Sequence, residues 1–274
     1  MAYADLHLHS TCSDGADSPR RVVERAARLD IAALALTDHD TVDGLDEART
    51  AAEELGIPFL AGTEISASFE GREMHILAYG IDSGSPVLQR LLHSLGRMRR
   101  DRIASMLERL EAVGIPVREA LSDSESATAM TGRMHVALLL HQMGQVSTVQ
   151  AGFDRYLNRG RPAFVPKRLP EACEVIQVIH EARGLAFLAH PGLGKTLKKR
   201  LDKILALPFD GIEVWHTSHS QDMRERFLKL AEERKLLVSG GSDCHGSVKG
   251  EPPTMGKVKT PLWCFERICE RLAL

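Results

Sequence analysis

Short apolar runs recur along most of the chain, and they predict a series of strands. The run IAALALTDHD at 31–40 is apolar at consecutive positions, which is typical of a parallel strand buried on both faces. Most of these runs end in His, Asp or Glu. The predicted strands are 2–9, 31–40, 58–66, 73–80, 185–192, 211–220 and 236–246.

Apolar residues at helical spacing fill several of the gaps between these strands. Ser18 and Pro19 are typical of a helix start, and Gly56 is typical of a helix end. Alternating strands and helices favour a parallel sheet or barrel whose functional site lies at the carboxyl ends of the strands. The predicted helices are about 18–29, 42–55, 222–234 and 263–272.

The alternation stops between residues 86 and 167. Residues 97–114 are amphipathic and end at Gly114, and a second helical run falls within 119–144. Because the strand pattern then resumes, we interpret this part as an insertion that packs over one edge of the barrel as a substrate cap. The predicted organisation is therefore an α/β barrel from residues 1–85 and 168–274 with a mostly helical insertion at 86–167.

Composition narrows the possible functions. The 274 residues are 43% hydrophobic and 26% charged, with a formal net charge of −2. This balance is ordinary for a globular protein and provides no global basic field for long nucleic acid, so an anionic substrate needs a local cluster of donors. The five cysteines form no CxxC pair, and no signal peptide or membrane-spanning run is visible. We therefore expect a cytoplasmic protein without disulfides, and we infer neither a membrane nor a protein partner.

Histidines and carboxylates gather at the ends of the predicted strands. His7 and His9 are two residues apart, so on an extended strand both side chains leave one face. Asp14 follows at the expected turn, and two imidazoles with a carboxylate form a ligand set for a first-row divalent metal. A single buried histidine is more often a core residue. Seven histidines with this placement, joined by Asp14, Glu64 and Asp243, instead favour metal binding. A bound metal removes the free-energy cost of burying these side chains unpaired. The seven are His7, His9, His39, His75, His190, His216 and His245.

Six stretches of the chain resemble the successive motifs of the PHP (polymerase and histidinol phosphatase) family. They are DLHLHSTCSDG, ALTDHD, GTEIS, the strand that contains His75, AHPG and GSDCHG, in family order from residue 5 to 246. The resemblance implies a distorted (β/α)7 barrel that holds up to three divalent metals at the carboxyl ends of its strands. The insertion also resembles a PHP subgroup that includes nucleotide phosphatases acting on 3′,5′-bisphosphates and enzymes that trim short RNA from its 5′ end.

The resemblance also implies a set of metal ligands, position by position. One metal would be held by His7, His9, Glu64 and Asp243. A second would share Glu64 and be held by His75 and His190, and a third would be held by Asp14, His39 and His245. Asp14 stands where some members have histidine, which favours a harder ion, so manganese is expected while iron and zinc stay open. No residue beyond these ligands is assigned a catalytic role, and the general acid for the leaving group is not identified.

Metals at such a site favour phosphoester hydrolysis. Ions a few ångströms apart can share a water and lower its pKa from about 16 towards 7, which gives a bridging hydroxide that can attack phosphorus. The remaining phosphate charge needs donors from the protein itself. The insertion can supply these donors.

Six side chains of the insertion are candidate phosphate donors. Three of them lie three residues apart on one helix face, for which a solvated face is the alternative interpretation. Arg133 and His135 lie near the start of another helix, a position that suits phosphate. The six are Arg99, Arg102, Ser105, Arg133, His135 and Lys167.

The sequence therefore predicts a phosphatase that hydrolyses the 3′-phosphate of nucleoside 3′,5′-bisphosphates and leaves the 5′-monophosphate. A 5′-to-3′ exonuclease on short RNA or DNA oligonucleotides is the alternative enzyme. A non-catalytic, metal-stabilised PHP module is a further alternative, which the complete ligand set disfavours. Histidinol-phosphate phosphatase activity is disfavoured by the insertion.

Overall fold

Eight strands form one sheet in the computed structural model, which describes residues 2–122, 132–193, 195–247 and 253–274. The strand order is β7-β6-β5-β4-β3-β2-β1-β8. Seven of these strands overlap the predicted ones, and the eighth was not predicted. The strands are β1 Tyr3–Asp5, β2 Ala33–Leu36, β3 Phe59–Phe69, β4 Arg72–Tyr79, β5 Leu185–Leu188, β6 Gly211–Trp215, β7 Leu237–Gly240 and β8 Thr260–Pro261.

The sheet closes into a barrel between its seventh and first strands. The backbone N–H of Leu6 donates to the carbonyl of Gly240 at 3.0 Å, and Leu8 forms a parallel bridge with Cys244. β8 adds to β1 in the antiparallel direction. Closure satisfies the backbone of the strands that would otherwise form edges. The predicted distorted barrel of seven strands is confirmed, with β8 as an addition.

Strand β4 departs from the parallel arrangement that the alternation predicts. Only Glu70 and Gly71 join β3 to β4, both with positive φ, and so short a connection makes the two strands antiparallel. β5 is antiparallel to β4 as well, so it runs in the direction of β3. The first half of β4 therefore lies at the same end of the barrel as the last half of β3. For this reason His75 reaches that end although it lies early in its strand.

Ten α-helices lie among the described residues. Ser18 caps the first helix by accepting the N–H of Arg21, and Gly56 ends the second with φ 67°. None of these helices is long and apolar enough to cross a bilayer. The helices are α1 Pro19–Arg28, α2 Leu45–Leu55, α3 Pro86–Ala112, α4 Val117–Ser122, α5 Arg133–Gln142, α6 Val149–Gly152, α7 Ala172–Glu181, α8 Lys195–Ile204, α9 Gln221–Arg234 and α10 Leu262–Leu272.

Several helices differ from the sequence prediction. α7 and α8 complete the strand–helix alternation around β5, and neither was predicted. Residues Phe153–Leu157 form a π-helix directly after α6. The helical run predicted within 119–144 falls partly on residues 123–131, which lie outside the described residues.

The chain divides into two compact units. One comprises residues 1–92 and 169–274 and contains the barrel. The other comprises residues 93–168 and has a hydrophobic core of its own, built from α3, α5 and the segments around them. The division falls within α3, whereas the predicted insertion begins where α3 begins.

The barrel interior is apolar towards the amino ends of its parallel strands. Leu60, Leu77, Tyr79 and Phe187 are buried there, and the Tyr79 hydroxyl donates to a backbone carbonyl of the first strand segment at 2.8 Å. Side chains alternate along a strand, so Glu64 lies on the same face of β3 as Leu60. The strands that build the core therefore also direct ionisable groups to the other end of the barrel.

Candidate metal centre

Glu64 lies in the middle of a cluster of imidazoles at the carboxyl ends of the strands. It is buried, and each of its two oxygens faces several imidazole nitrogens. All of these distances lie between 2.9 and 3.3 Å. The nitrogens belong to His7, His9, His39, His75 and His190.

Two further carboxylates extend the cluster. Asp243 places Oδ1 at 3.1 Å from Nε2 of His9 and at 3.4 Å from Nε2 of His7. Asp14 places Oδ1 at 3.2 Å from Nε2 of His245. The rings of His9 and His245 stack with their centroids 4.1 Å apart. The nine side chains that the resemblance implies as ligands are thus brought together in one contiguous cluster.

The potential ligand atoms fall into three overlapping groups, and within each group they lie no more than 4.8 Å apart. The first group matches the four ligands expected for one metal, and the second contains the three expected for another together with His9. In the third group His39 accompanies Glu64 and His75, while the Nε2 atom of His190 lies 2.9 Å from Oε1 of Glu64, the oxygen that also faces Nδ1 of His75. The groups are His7/His9/Glu64/Asp243, His9/Asp14/His39/His245 and His39/Glu64/His75.

The nitrogens of this cluster fit divalent cations better than hydrogen bonds. Among the described residues, several imidazole nitrogens are buried without a hydrogen bond, namely both of His9 and Nδ1 of His39, His75 and His190. Nδ1 of His39 lies 3.1 Å from a Glu64 oxygen, yet the contact does not have hydrogen-bond geometry. Buried polar atoms without partners are costly, and a shared cation satisfies them. A set of imidazole and carboxylate ligands suits manganese, iron or zinc.

Burial and neighbouring carboxylates shift the pKa values of the imidazoles in the cluster in opposite directions. Burial disfavours the charged imidazole of His75, but the nearby Glu64 outweighs it and raises its pKa to about 10. Burial also opposes the charged form of His245, yet the hydrogen bond with Asp14 raises its pKa to about 9. For His39 burial prevails and lowers the pKa to about 3. Metal binding at His75 and His245 must therefore displace protons.

The aspartates on either side of His39 anchor the backbone of the site. Asp38 accepts the backbone N–H of Ser10 at 2.7 Å and its hydroxyl at 2.6 Å, which holds the turn after His9. Asp40 has φ 54° and accepts the backbone N–H of Ser66 at 2.7 Å. In the ALTDHD motif, the histidine therefore faces the cluster while the two aspartates fix the strands that surround it.

Two of the expected ligands have backbone conformations that non-glycine residues rarely adopt. His190 follows β5 with φ 28°, and Asp243 follows β7 with φ 51°. Such conformations persist only where the surrounding structure enforces them, and they cluster at functional sites. The strand ends are thus shaped to aim these two side chains at the cluster.

β6 and the residue after it place two side chains against the cluster, neither of which is among the nine ligands that the resemblance implies. Glu213 is fully buried and contacts Nδ1 of His7 at 2.9 Å. His216, one residue beyond β6, contacts Oδ2 of Asp243 at 3.3 Å. His216 had been noted as a strand-end histidine, but the resemblance gave it no role. Glu213 could have been suspected because it is an acid within the apolar run GIEVW.

The candidate phosphate donors lie in the unit of residues 93–168. Arg102 donates from Nε to the carbonyl of Val165 at 3.0 Å, which anchors its side chain. Arg133 begins α5, and its guanidinium lies 5.8 Å from the ring centre of Phe153. The other four are placed on α3, on the first turn of α5 and in the segment before residue 169. Their role in substrate binding stays a prediction.

Comparisons with known proteins agree with the motif pattern. The PHP domain family model matches residues 5–237. A 5′-3′ exoribonuclease of Haemophilus influenzae is 39% identical over 249 residues, which is 88% of this chain and 89% of the relative. A 3′,5′-nucleoside bisphosphate phosphatase of Chromobacterium violaceum is 38% identical over 274 residues, 96% of each chain. A solved structure from Bifidobacterium adolescentis, described as a candidate metal-dependent phosphoesterase, has a TM-score of 0.81 and 34% identity over 98% of this chain and 96% of that one.

Proposed function

The chain belongs to the PHP family, and on that premise we propose that it is a metal-dependent phosphatase that removes the 3′-phosphate from nucleoside 3′,5′-bisphosphates. The observation that carries the proposal is the buried cluster of imidazoles and carboxylates around Glu64. Similarity over 96% of both chains to the Chromobacterium violaceum phosphatase supports this substrate. The products are the 5′-monophosphate and inorganic phosphate.

The proposed ligands determine which ions the site accepts. Divalent ions bound here supply positive charge to phosphoryl oxygens and lower the pKa of water. Three carboxylates stand among six imidazoles, so three bound dications would leave a net positive centre that attracts a phosphate. We propose manganese, with iron and zinc as the other candidates. The ligands are His7, His9, Asp14, His39, Glu64, His75, His190, Asp243 and His245.

The charge of the second unit supports an anionic substrate. Residues 93–168 contain twelve Arg and Lys against seven Asp and Glu, so their formal charge is +5. The rest of the chain carries −7, and the overall charge of −2 conceals this difference. We assign binding of the substrate's 5′-phosphate to donors of this unit, since Arg side chains match phosphate geometry. The proposed donors are Arg99, Arg102, Ser105, Arg133, His135 and Lys167.

A comparison of substrates tests this function. Manganese-loaded protein is assayed for phosphate release from adenosine 3′,5′-bisphosphate, adenosine 5′-monophosphate and p-nitrophenyl phosphate. We expect kcat/KM to be about 10- to 100-fold higher for the bisphosphate, because charge-assisted hydrogen bonds to a second phosphate are worth about 1.5–3 kcal/mol. Equal kcat/KM for all three substrates would contradict the proposed specificity.

A 5′-to-3′ exonuclease acting on short oligonucleotides is the second candidate. The exoribonuclease of Haemophilus influenzae favours it, being 39% identical over most of both chains. Two pairs of an arginine and an aromatic ring in the unit of residues 93–168 also favour an exonuclease, because such side chains can stack on the bases of a single strand. Arg133 lies over Phe153, and Arg155 lies over Tyr156. Faster release of nucleotides from 5′-phosphorylated oligomers than of phosphate from the bisphosphate would select this function.

A further inference from the structure

Strand β6 and the residue after it contain none of the nine proposed ligands, yet two side chains there contact ligands that follow three other strands. Glu213 lies within β6 and is fully buried. Oε1 contacts Nδ1 of His7 at 2.9 Å, and Oε2 accepts the backbone N–H of His190 at 2.6 Å. One carboxylate thus connects the ligand that follows β1 with the ligand that follows β5.

The contact with Glu213 fixes the proton on the His7 ring. A carboxylate only accepts hydrogen bonds, so Nδ1 of His7 carries a hydrogen and donates it. The lone pair of a neutral His7 then lies on Nε2, the atom that faces Glu64 and Asp243 at 3.2 and 3.4 Å. Nε2 is therefore the metal-binding nitrogen. The second contact of Glu213 holds the backbone of His190 at its unusual φ of 28°.

His216 is fixed in the opposite tautomer by its own turn. The backbone N–H of Ser218 donates to Nδ1 of His216 at 3.1 Å, and the Ser218 hydroxyl lies 2.7 Å from the same atom. Because a backbone N–H can only donate, Nδ1 is an acceptor and the hydrogen of neutral His216 lies on Nε2. This N–H faces Oδ2 of Asp243 at 3.3 Å. The other oxygen of Asp243 is left facing His7 and His9.

We propose that β6 and the residue that follows it orient the metal centre, with Glu213 and His216 as positioning residues. Glu213 selects the tautomer of His7 and holds the backbone of His190, while His216 selects which oxygen of Asp243 is presented. Neither residue binds a metal. Groups that orient ligands in this way typically contribute 10- to 100-fold to metal affinity. The inference rests on the proposed metal-dependent function, because it concerns the ligands of that centre.

Glu213→Gln is the most informative variant because it keeps the shape of the side chain. A glutamine has one oxygen and one NH2 group where Glu213 has two acceptors. If its oxygen accepts the N–H of His190, its NH2 group faces His7 and moves the ring hydrogen to Nε2. If its oxygen faces His7, its NH2 group is directed at the N–H of His190. Either orientation disturbs one of the two ligands.

The matched control is Asp210→Asn at the opposite end of the same strand. Oδ2 of Asp210 accepts the backbone N–H of Ala186 at 2.8 Å and contacts Nε2 of His180 at 2.7 Å. The control thus removes a carboxylate that also joins a backbone N–H to an imidazole, but one residue before β6 begins. If the two variants lose similar amounts of folding stability, a difference between their manganese affinities reports an effect on metal binding rather than on folding.

Manganese affinity of the metal-free proteins, measured by titration calorimetry, tests the inference, with circular dichroism melting as the folding control. We expect Glu213→Gln to raise the Kd for manganese about 10- to 100-fold and Asp210→Asn to leave it within about twofold. We also expect His216→Phe to raise the Kd and His216→Gln, which retains an N–H donor, to restore part of the loss.

Two results distinguish the inference from the proposed function. Wild-type affinity in both Glu213→Gln and His216→Phe would overturn the role of β6 while the metal centre stands. An equal loss of affinity in Asp210→Asn would overturn it as well, since the effect would then follow from general destabilisation. A wild-type protein that binds no manganese would contradict the proposed function, and the inference would fall with it.

Discussion

Replacing Asp243 with asparagine tests the metal centre through a residue whose two oxygens have different partners. Oδ1 faces the Nε2 atoms of His9 and His7 at 3.1 and 3.4 Å, and Oδ2 faces the N–H of His216 at 3.3 Å. In Asp243→Asn the amide oxygen must accept from His216, because an NH2 group there would meet another donor. The NH2 group then faces His7 and His9, where it cannot bind a cation.

The expected loss follows from the charge that this change removes. At an effective dielectric constant of about 20, two unit charges about 4 Å apart interact by about 4 kcal/mol. The ligand atoms of His7, His9, Glu64 and Asp243 lie within 4.8 Å of one another. A cation at the centre of this group is therefore no farther than about 4 Å from the Asp243 carboxylate. About 4 kcal/mol corresponds to roughly a thousandfold in Kd. We therefore expect Asp243→Asn to weaken manganese binding by about 10³-fold or more.

The assay is a manganese titration of the metal-free protein, followed by phosphate release at a fixed manganese concentration. The matched control is Asp202→Asn, which removes an exposed carboxylate paired with Arg234 on the surface of the same unit. We expect the control to bind manganese as the wild type does. Manganese affinity of Asp243→Asn within about tenfold of the wild type, with the fold intact by circular dichroism, would refute the assignment of Asp243 as a ligand.

Arg133→Ala should lower kcat/KM for adenosine 3′,5′-bisphosphate about 10-fold or more but leave p-nitrophenyl phosphate nearly unchanged, because only the bisphosphate has a remote phosphate; equal loss on both substrates would contradict this role. Manganese binding at pH 7 should release about three protons, since the pKa of His7 is raised well above its usual range, that of His75 to about 10 and that of His245 to about 9, and all three must become neutral to bind. Affinity should accordingly rise with pH through the pKa values of these imidazoles; calorimetry in buffers of different ionisation enthalpy measures the proton release, and release of less than one proton would contradict the prediction. Gly192→Ala should lower the free energy of unfolding in urea by about 1–3 kcal/mol, because the new Cβ would lie 2.7 Å from Nε2 of His219. A decrease below about 0.5 kcal/mol would contradict this close packing.

The strand pattern made the location of the site predictable from the sequence. Parallel strands buried on both faces have continuous apolar runs, and their carboxyl ends meet at one end of the barrel, so His39 and His190 could be grouped although they lie far apart in the chain. The antiparallel direction of β4 was also within reach of the sequence. The two-residue turn at Glu70 and Gly71 is too short for a helical crossover.

The surroundings of the ligands could not be predicted in the same way. Glu213 contacts His7 across 206 residues of sequence, and no local spacing indicates that pairing. The role of His216 depends on which of its nitrogens accepts the N–H of Ser218, a matter of turn geometry rather than of residue type. Family motifs identify the residues that touch a metal, whereas the residues that orient them emerge only from three-dimensional contacts.

The central claim is that the cluster around Glu64 holds several metal ions and that these ions are required for phosphate release. The most direct test measures both in one preparation expressed with manganese, by elemental analysis and by phosphate release from adenosine 3′,5′-bisphosphate before and after treatment with EDTA. We predict more than one equivalent of metal per chain, loss of activity on chelation and recovery when manganese is restored. At most one equivalent of metal, or phosphate release that persists after the metal has been removed, would contradict the account.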